Sequence, residues 1–328
     1  MKCTGDFLYN YLSLFACYFF IFCMPKLISR KLRCKILQML DFVPDELMVR
    51  FQYRIKTGVS LNLNNPSRFT EKLQFYKLFY RDPVMKQCVD KYDVREYIQR
   101  QGYGDTLNEC LGIYNSPDEV DFDALPNKFV AKDTLGGGGN AVVLVKDKSK
   151  LDIAKLKKQM QIWVDEPADK KHPGREWVYD GRKHRIIIEK FIESDTEKGG
   201  LIDYKFFCNY GETKFLYVVA DRVLGKSAGF GIFSPDFKQK PVSRADEKPL
   251  TREIPKPDNY DELKAIAEAL AKPFPEARID LYDVDGKIYF GEITFFDGSG
   301  YMTFTPDVYD EILGDMFTFN TNDKGWQK

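Results

Sequence analysis

Two carboxylates near the C-terminal end of the sequence are the side chains best placed to do chemistry. Asp280 and Glu292 stand 12 residues apart, on either side of Asp285-Gly286, a dipeptide that favours a hairpin turn. If the turn takes the three residues Asp285 to Lys287, Val284 faces Ile288, Tyr282 faces Phe290 and Asp280 faces Glu292, so both acids share one face. A two-residue turn would send them to opposite faces, because side chains alternate along a strand. Facing carboxylates repel unless a cation lies between them. Mg²⁺, held by carboxylates together with substrate phosphates, suits such a place. Taken alone, the same two acids also read as solvated strand charges.

A second constellation lies upstream. Gly136, Gly137, Gly138 and Gly139 separate two strand-type runs, NKFVAKD and AVVLVKD. Glycines let backbone amides approach an anion closely, and Lys132, on the strand just before, would bring positive charge to a phosphate chain. A flexible hairpin tip is the plainer alternative. No Gly-Lys-Ser/Thr follows, so the block is not a P-loop. A dinucleotide fingerprint needs a helix next, and AVVLVKD is β-branched. His172 and His184 are the only histidines, which leaves little room for histidine-based catalysis.

The elements that must position these residues can be read from periodicity. Residues 26 to 60 read as amphipathic helix closing near Thr57-Gly58. A helix follows in LNLNNPSRFTEKLQFYKLFYRDP, with Ser67 or Thr70 as its cap and Leu73, Tyr76, Lys77 and Tyr80 on one face. CVDKYDVREYIQRQG reads as another, ending at Gly102, and Leu151 to Val164 as a third. Strands are expected at HRIIIEKFI, DYKFFCNYG and KFLYVVADR. An irregular Gly-, Pro- and Lys-rich stretch spans about 223 to 258. A last helix near Asp261 to Ala271 precedes the RIDLYDV and KIYFGEITFF hairpin. There is no internal repeat.

Composition bounds the function. The chain has 328 residues, 44% hydrophobic and 30% charged, as expected of a folded globular protein of about two domains. Lys plus Arg equals Asp plus Glu at 49 each, which argues against a dedicated nucleic-acid binder. The aromatic share of 15% favours a sheet-rich core. Seven cysteines without CxxC or CxxH spacing point away from disulfides and zinc, towards a reducing compartment.

Residues 7 to 24, FLYNYLSLFACYFFIFCM, are apolar apart from Asn10 and Ser13, and Lys26, Arg30, Lys31, Arg33 and Lys35 follow. A signal peptide would carry its charge before the apolar stretch. The order here suits an anchor with the rest of the chain in the cytoplasm, or an interfacial helix on anionic lipid. A buried aromatic-rich helix is the third reading. Membrane-surface contact through residues 7 to 35, at the inner face of the plasma membrane, is the expectation carried forward.

Taken together, these stretches resemble the ATP-grasp superfamily, most closely its teichuronopeptide-biosynthesis-like (TupA-like) branch of bacterial capsule and surface-polysaccharide pathways. The resemblance covers about residues 60 to 310. It rests on LNLNNPSRFTEKLQFYKLFYRDP, DKYDVREYI, LPNKFVAK with the glycine block, GREWVY, IIIEKFI, DYKFF and RIDLYDVDGKIYFGEITFF, in that order. It implies an α+β fold in which two α/β subdomains grip ATP. The parts would be a helical, partly hydrophobic segment at 1–60, a helical and α/β part at 61–125, a glycine-flap ATP-binding subdomain at 126–190 and a C-terminal subdomain with the metal hairpin at 191–328.

The resemblance also implies roles. Lys91 and Lys132 would be the ATP-phosphate lysines, and Gly136 to Gly139 a flap over the phosphates. Glu189 and Lys190 would occupy the adenine hinge, with backbone contacts from Phe191 and Ile192. Asp280 and Glu292 would hold metal. The family usually has Asn two residues after the glutamate, where this chain has Thr294, a weaker ligand. Lys205, Arg222 and Arg278 would meet the transferred phosphoryl group or the acceptor carboxylate, and Asp195 or Glu197 the ribose. Apart from the resemblance, Arg175, Trp177 and Tyr179 read either as a stack or clamp for a sugar acid or as packing. The implied chemistry is ATP- and Mg²⁺-dependent amide formation through an acylphosphate, joining an amino acid or amine to a uronic-acid-type polymer or its precursor. One rival is a glycosyltransferase using the Asp283-Val284-Asp285 triplet for metal and nucleotide. Another is a membrane-associated scaffold that binds ATP without turnover.

Overall fold

The computed structural model describes residues 30–137, 141–194, 200–223 and 227–327. The apolar run at 7–24, Gly138, Gly139, Asp195 and Glu197 lie outside the described residues.

The amphipathic stretch expected over 26–60 is two helices, α1 (Arg30–Met39) and α2 (Asp45–Thr57). Pro44 separates them, because a proline disfavours helical backbone in the residue before it. α2 closes on Gly58, whose φ of 76° lets its N–H reach the Arg54 carbonyl at 3.0 Å. Helix α3 (Phe69–Phe79) is not capped by Ser67 or Thr70. The Glu71 carboxylate instead collects the N–H groups of Asn62, Ser67 and Arg68, and Thr70 donates to Asp310. Of the helix expected over 88–102 only α5 (Val94–Arg100) forms, and a short α4 (Pro83–Cys88) precedes it. Asp90 accepts the Tyr92 and Asp93 N–H groups at 2.8 and 3.0 Å, an Asx turn that competes with the helix.

Strands β1 (Cys110–Tyr114), β2 (Phe129–Asp133) and β3 (Val142–Val145) come next, followed by helix α6 (Ile153–Val164) and β4 (Ile186–Lys190). They form a four-stranded antiparallel sheet in the order β1-β4-β2-β3. α6 covers it with Leu156, Met160 and Trp163, packed on Phe129, Ile186 and Ile188.

The rest of the chain builds a six-stranded sheet in the order β11-β10-β5-β6-β7-β9. Its strands are β5 (Asp203–Asn209), β6 (Glu212–Val223), β7 (Ser227–Phe233), β9 (Lys248–Pro249), β10 (Ala277–Val284) and β11 (Lys287–Thr294), with the short β8 (Ser243–Arg244) pairing separately with β12 (Phe304–Thr305). β7 lies inside the stretch expected to be irregular. Its glycines hide it from a strand pattern; a Cβ on Gly231 would come within 2.7 Å of the tip of the Leu250 side chain. Helix α7 (Tyr260–Ala271) covers one face through Leu263, Ile266 and Leu270, meeting Tyr204, Phe206, Ile279 and Leu281. The alternation of DYKFF therefore turns Asp203 and Lys205 to the other face. Helix α8 (Val308–Asp315) packs on α3. Among the described residues no helix is long and apolar enough to cross a membrane.

Candidate active site

Asp280 does face Glu292, but by a different route from the one the spacing suggested. The turn is the two residues Asp285-Gly286, both at positive φ (52° and 81°), with Val284 opposite Lys287. That is the backbone of a tight hairpin turn that matches strand twist. Continued unbroken, this register would set Asp280 against Gly291 and turn Glu292 to the far face. A bulge corrects it: Leu281 pairs with Phe290 and Asp280 with Glu292, so Gly291 is the extra residue. A Cβ at Gly291 would lie 2.9 Å from the Tyr282 ring and 3.0 Å from the Asp280 carbonyl. Only glycine fits there without displacement.

Around this pair the six-stranded sheet assembles a dense ionic face. Arg278 donates from Nε to Asp280 Oδ1 at 2.7 Å, and from Nη2 to Asp280 Oδ2 at 2.9 Å and Glu292 Oε1 at 2.8 Å. Its Nη1 reaches Asp297, which also accepts from Arg244 at 3.0 Å. Lys205, paired with Asp280 across β5–β10, contacts the Asp280 carboxylate and lies 3.2 Å from Asp203. Arg222 donates to the same Asp203 at 2.5 Å.

Asp280 is 1% exposed, whereas the Glu292 side chain is 40% exposed. Burial pushes the Asp280 carboxyl up to about 6, against Arg278 and Lys205. Burial works the same way on Glu292, but Arg278, Lys205 and Lys91 outweigh it and hold that carboxyl down at about 2. Burial also works to lower Lys205, yet Asp203 and Asp280 keep its ammonium above the ordinary value. Thr294 places its hydroxyl 3.5 Å from Glu292 Oε1, a weak contact.

The four-stranded sheet contributes fewer charges. Lys132 Nζ is 2.5 Å from Glu189 Oε2, and Arg95 lies 3.6 Å from the other oxygen of that carboxylate. Lys91 donates to the Gly136 carbonyl at 2.6 Å. Burial pulls its ammonium below the ordinary value, against the attraction of Glu292 and Asp133, so Lys91 is felt by both sheets. Asp133 holds the foot of the glycine block, accepting from the Leu135 N–H at 3.0 Å and meeting His184 at 2.8 Å. A Cβ on Gly136 would meet Ala141 Cβ at 2.1 Å, while Gly137 has open space. Lys190 is exposed and pairs with Glu109 at 3.1 Å, and Phe191 and Ile192 follow the end of β4, half-buried.

The structure thus brings Lys91, Lys205, Arg278, Asp280 and Glu292 into one electrostatic neighbourhood, with Arg222 at its edge and Thr294 beside it. Arg175 takes the packing alternative. Its side chain is buried and donates to the Leu40 carbonyl at 2.7 Å, close to Asp45 at 3.5 Å, so it ties α1 and α2 to the body rather than facing a ligand. Trp177 lies under Arg81. Of the three, Tyr179 stands near Glu292 and Arg278; burial pushes its phenol up, and Glu176 and Glu292 add to that.

Sequence reasoning missed Asp203, Gly291, Asp297 and Arg244. Asp203 was legible two residues before Lys205, on the same face of a strand. Gly291 was legible as a lone glycine inside a strand pattern, a marker of bulges. Asp297 and Arg244 carried no local signal. Lys77, expected on a helical face, is a buried bolt: its ammonium donates to the carbonyls of Gly174 and Ser299 at 2.8 and 2.9 Å, and burial brings it down to about 7.

The donor set can be tested against the expected Mg²⁺. Among the described residues no group of three or more His, Cys, Asp or Glu side chains is arranged to hold a metal. The two carboxylates already share a cation, since Arg278 donates to both and Lys205 meets Asp280, so an ion completed by water and phosphate oxygens would have to displace those contacts.

A family model described as TupA-like ATPgrasp matches residues 71–318. Among curated proteins none matches. Solved structures with a similar course include a D-alanine–D-alanine ligase from Bacillus anthracis (17% identity, 70% of this chain and 66% of that one, TM-score 0.42). An L-amino acid ligase from Bacillus licheniformis gives 17%, 74%, 53% and 0.43, and an N5-carboxyaminoimidazole synthetase from Staphylococcus aureus with ADP gives 11%, 72%, 52% and 0.38. The matched part spans less than two thirds of each of those chains, and at such scores the likeness carries no argument about what this chain acts on.

Proposed function

The chain belongs to the TupA-like ATP-grasp family, and from that premise we propose that it is an ATP- and Mg²⁺-dependent carboxylate–amine ligase. In this reading it joins an amino acid or amine to a uronic-acid-type carboxylate in capsular or surface-polysaccharide biosynthesis. The observation that carries the reading is the Gly291 bulge. It spends a ladder position and a glycine to bring Glu292 beside Asp280, where both meet Arg278 and Lys205.

Asp280 and Glu292 would hold the metal. Bound Mg²⁺ would supply neutralisation of phosphate charge and a fixed geometry for the nucleotide tail. Lys91 and Lys132 would exchange their present partners, the Gly136 carbonyl and Glu189, for phosphate oxygens. Lys205, Arg222 and Arg278 present positive charge where the transferred phosphoryl group and the acceptor carboxylate would meet, and Asp203 and Asp297 keep those cations oriented. No side-chain nucleophile is required, which agrees with a face built of ion pairs. Nothing in the hairpin favours the glycosyltransferase reading: Asp283 accepts from Asn259 at 2.9 Å and Asp285 is spent on the turn.

The test is direct. The full chain is incubated with ATP, Mg²⁺ and pairs of uronic acids or short uronic-acid oligomers with amino acids or simple amines. ADP release that needs both partners, and that Glu292→Gln abolishes, is expected. Failure to bind ATP by calorimetry, with no ADP release from any pair, would overturn the proposal.

A further inference from the structure

Three large apolar side chains stand in solvent within nine residues of each other. Met39, Phe42 and Leu47 are 77%, 66% and 51% exposed, at the corner where α1 passes into α2. Scattered surface hydrophobics are ordinary, but a cluster on one corner marks a contact surface.

The corner is not a loose end. Leu37, Leu40 and Met48 are buried beneath it, with Ile36, Val43, Phe51 and Ile55 packed around them. Arg175 grips the Leu40 carbonyl, Lys171 donates to Asp45 at 2.8 Å, and the Lys171 N–H reaches Asp41 at 3.2 Å. A phenyl ring held outwards on a braced corner is poised to enter an apolar phase.

Charge selects the partner. The acids of the corner are each met by a cation: Asp45 by Lys171 and Arg175, Asp41 by Arg175 at 3.8 Å, and Glu46 by Arg50 at 2.8 Å. Arg30, Lys31, Arg33 and Lys35 belong to α1 itself, and none of Arg33 and Lys35 forms an ion pair among the described residues. The corner therefore joins exposed apolar tips to a helix that carries the exposed Lys35, and the segment that leads into it in sequence is the apolar run 7–24. A bilayer with anionic headgroups satisfies both halves: acyl chains for the apolar tips, phosphates for the basic side chains.

We infer that the α1–α2 corner, through Met39, Phe42 and Leu47 with Arg33 and Lys35, is a docking surface for an anionic lipid bilayer. It extends the membrane contact expected of residues 7–35 onto the folded body. The ligase active site is not involved, so the inference stands apart from the proposed activity. A peripheral domain gripped at two places, by a segment and by its own corner, would be held in one orientation on the membrane, as two weak anchors together bind far more firmly than either alone.

The experiment sediments the full chain with vesicles of phosphatidylcholine alone and of phosphatidylcholine mixed with phosphatidylglycerol, at low and high salt. The variants are M39S/F42S/L47S and R33E/K35E, each checked for an unchanged circular dichroism spectrum and unchanged ATP binding. Wild type should prefer the anionic vesicles, and the triple variant should bind at least about tenfold more weakly, since three apolar side chains no longer leave water. The charge variant should lose the preference for phosphatidylglycerol. The inference fails if wild type binds neither vesicle, or if the triple variant binds as tightly as wild type, which would leave the contact to residues 7–24 alone. It fails equally if the triple substitution turns a dimer into a monomer in ultracentrifugation without lipid, which would make the corner an interface between copies.

Discussion

Arg278 meets three carboxylates, those of Asp280, Glu292 and Asp297, whereas Lys132 and Lys91 on the side of the glycine block hold one hydrogen-bonded partner each, Glu189 and the Gly136 carbonyl. The six-stranded sheet thus binds its charges to one another from several strands at once. On the side of the glycine block, Lys132 on β2 and Lys91 in the turn between α4 and α5 keep single contacts. A cross-linked ionic face costs reorganisation once, during folding, and is then fixed while charge moves during a reaction. Lysines with one partner can change partner when a phosphate arrives. On the proposed ligase function the difference would separate two tasks: one side would set the reaction geometry and the other would receive and release the nucleotide.

The largest effect should come from cutting the ionic face at its centre. Asp280→Asn removes charge from the residue that Arg278 and Lys205 share. Turnover should fall by about 10³-fold or more, as for other groups that act on developing charge. ATP affinity in the absence of metal should change little, because Lys91 and Lys132 are untouched. If kcat survives within tenfold while ATP affinity collapses, the two tasks are assigned to the wrong sheets.

Next in size is the bulge. Gly291→Val must push a side chain into the Tyr282 ring and the Asp280 backbone. Overpacking of this kind costs about 1–3 kcal/mol, and the escape is to lose the bulge and rotate Glu292 off the face. Metal-dependent turnover should then drop as far as in Glu292→Gln. Gly286→Asn, at a φ that Asn tolerates in a tight turn, should be nearly silent in both stability and turnover. Equal damage from both substitutions, measured by melting and ADP release, would show that the hairpin as a whole matters and not the bulge.

A smaller and different effect is expected across the molecule. Lys132→Met should raise the KM for ATP by roughly tenfold and lower kcat less, since a charge-assisted contact to phosphate is worth about 1.5–3 kcal/mol. A fall in kcat with KM unchanged would move Lys132 into the reaction geometry and blur the division between the sheets.

Why the hairpin was legible, and only in part, follows from what strands encode locally. The pairing of Asp280 with Glu292 was inferred correctly from a turn that does not exist. Apolar alternation shows which residues share a face, but a bulge and a three-residue turn shift the register equally, and the sequence differs between them only at Gly291. The helix capping at Ser67 or Thr70 failed for a related reason: Asp310, 240 residues away, takes Thr70, and Glu71 takes the amides instead. Asp297 and Arg244 were beyond reach because their meeting depends on how β8 and the segment after β11 come together. Strand β7 was hidden because Gly229 and Gly231 supply no side chains for an alternating pattern. Local chemistry was readable; contacts made by distant segments were not.

One acid on the six-stranded sheet is left out of its network. Glu276, just before β10, is 1% exposed, and neither carboxylate oxygen has a hydrogen-bond partner among the described residues. Burial holds its carboxyl well above the ordinary range, Asp297 adds to this, and Arg278 offsets only part. The folded protein therefore keeps this proton, while the unfolded chain releases it above about pH 4. The stability that depends on it is fully present below the ordinary carboxylate range and drains away as pH rises towards the folded value, by about 1.4 kcal/mol per pH unit at most. Glu276→Gln has the same shape and no proton to lose. Its melting temperature should match wild type below about pH 4 and exceed it by a widening margin as pH rises above that, with turnover unaffected. Parallel curves for the two proteins would mean that the Glu276 carboxylate finds a cation or water when it ionises. The ionic face would then reach one residue further along β10 than the contrast with the four-stranded sheet allows.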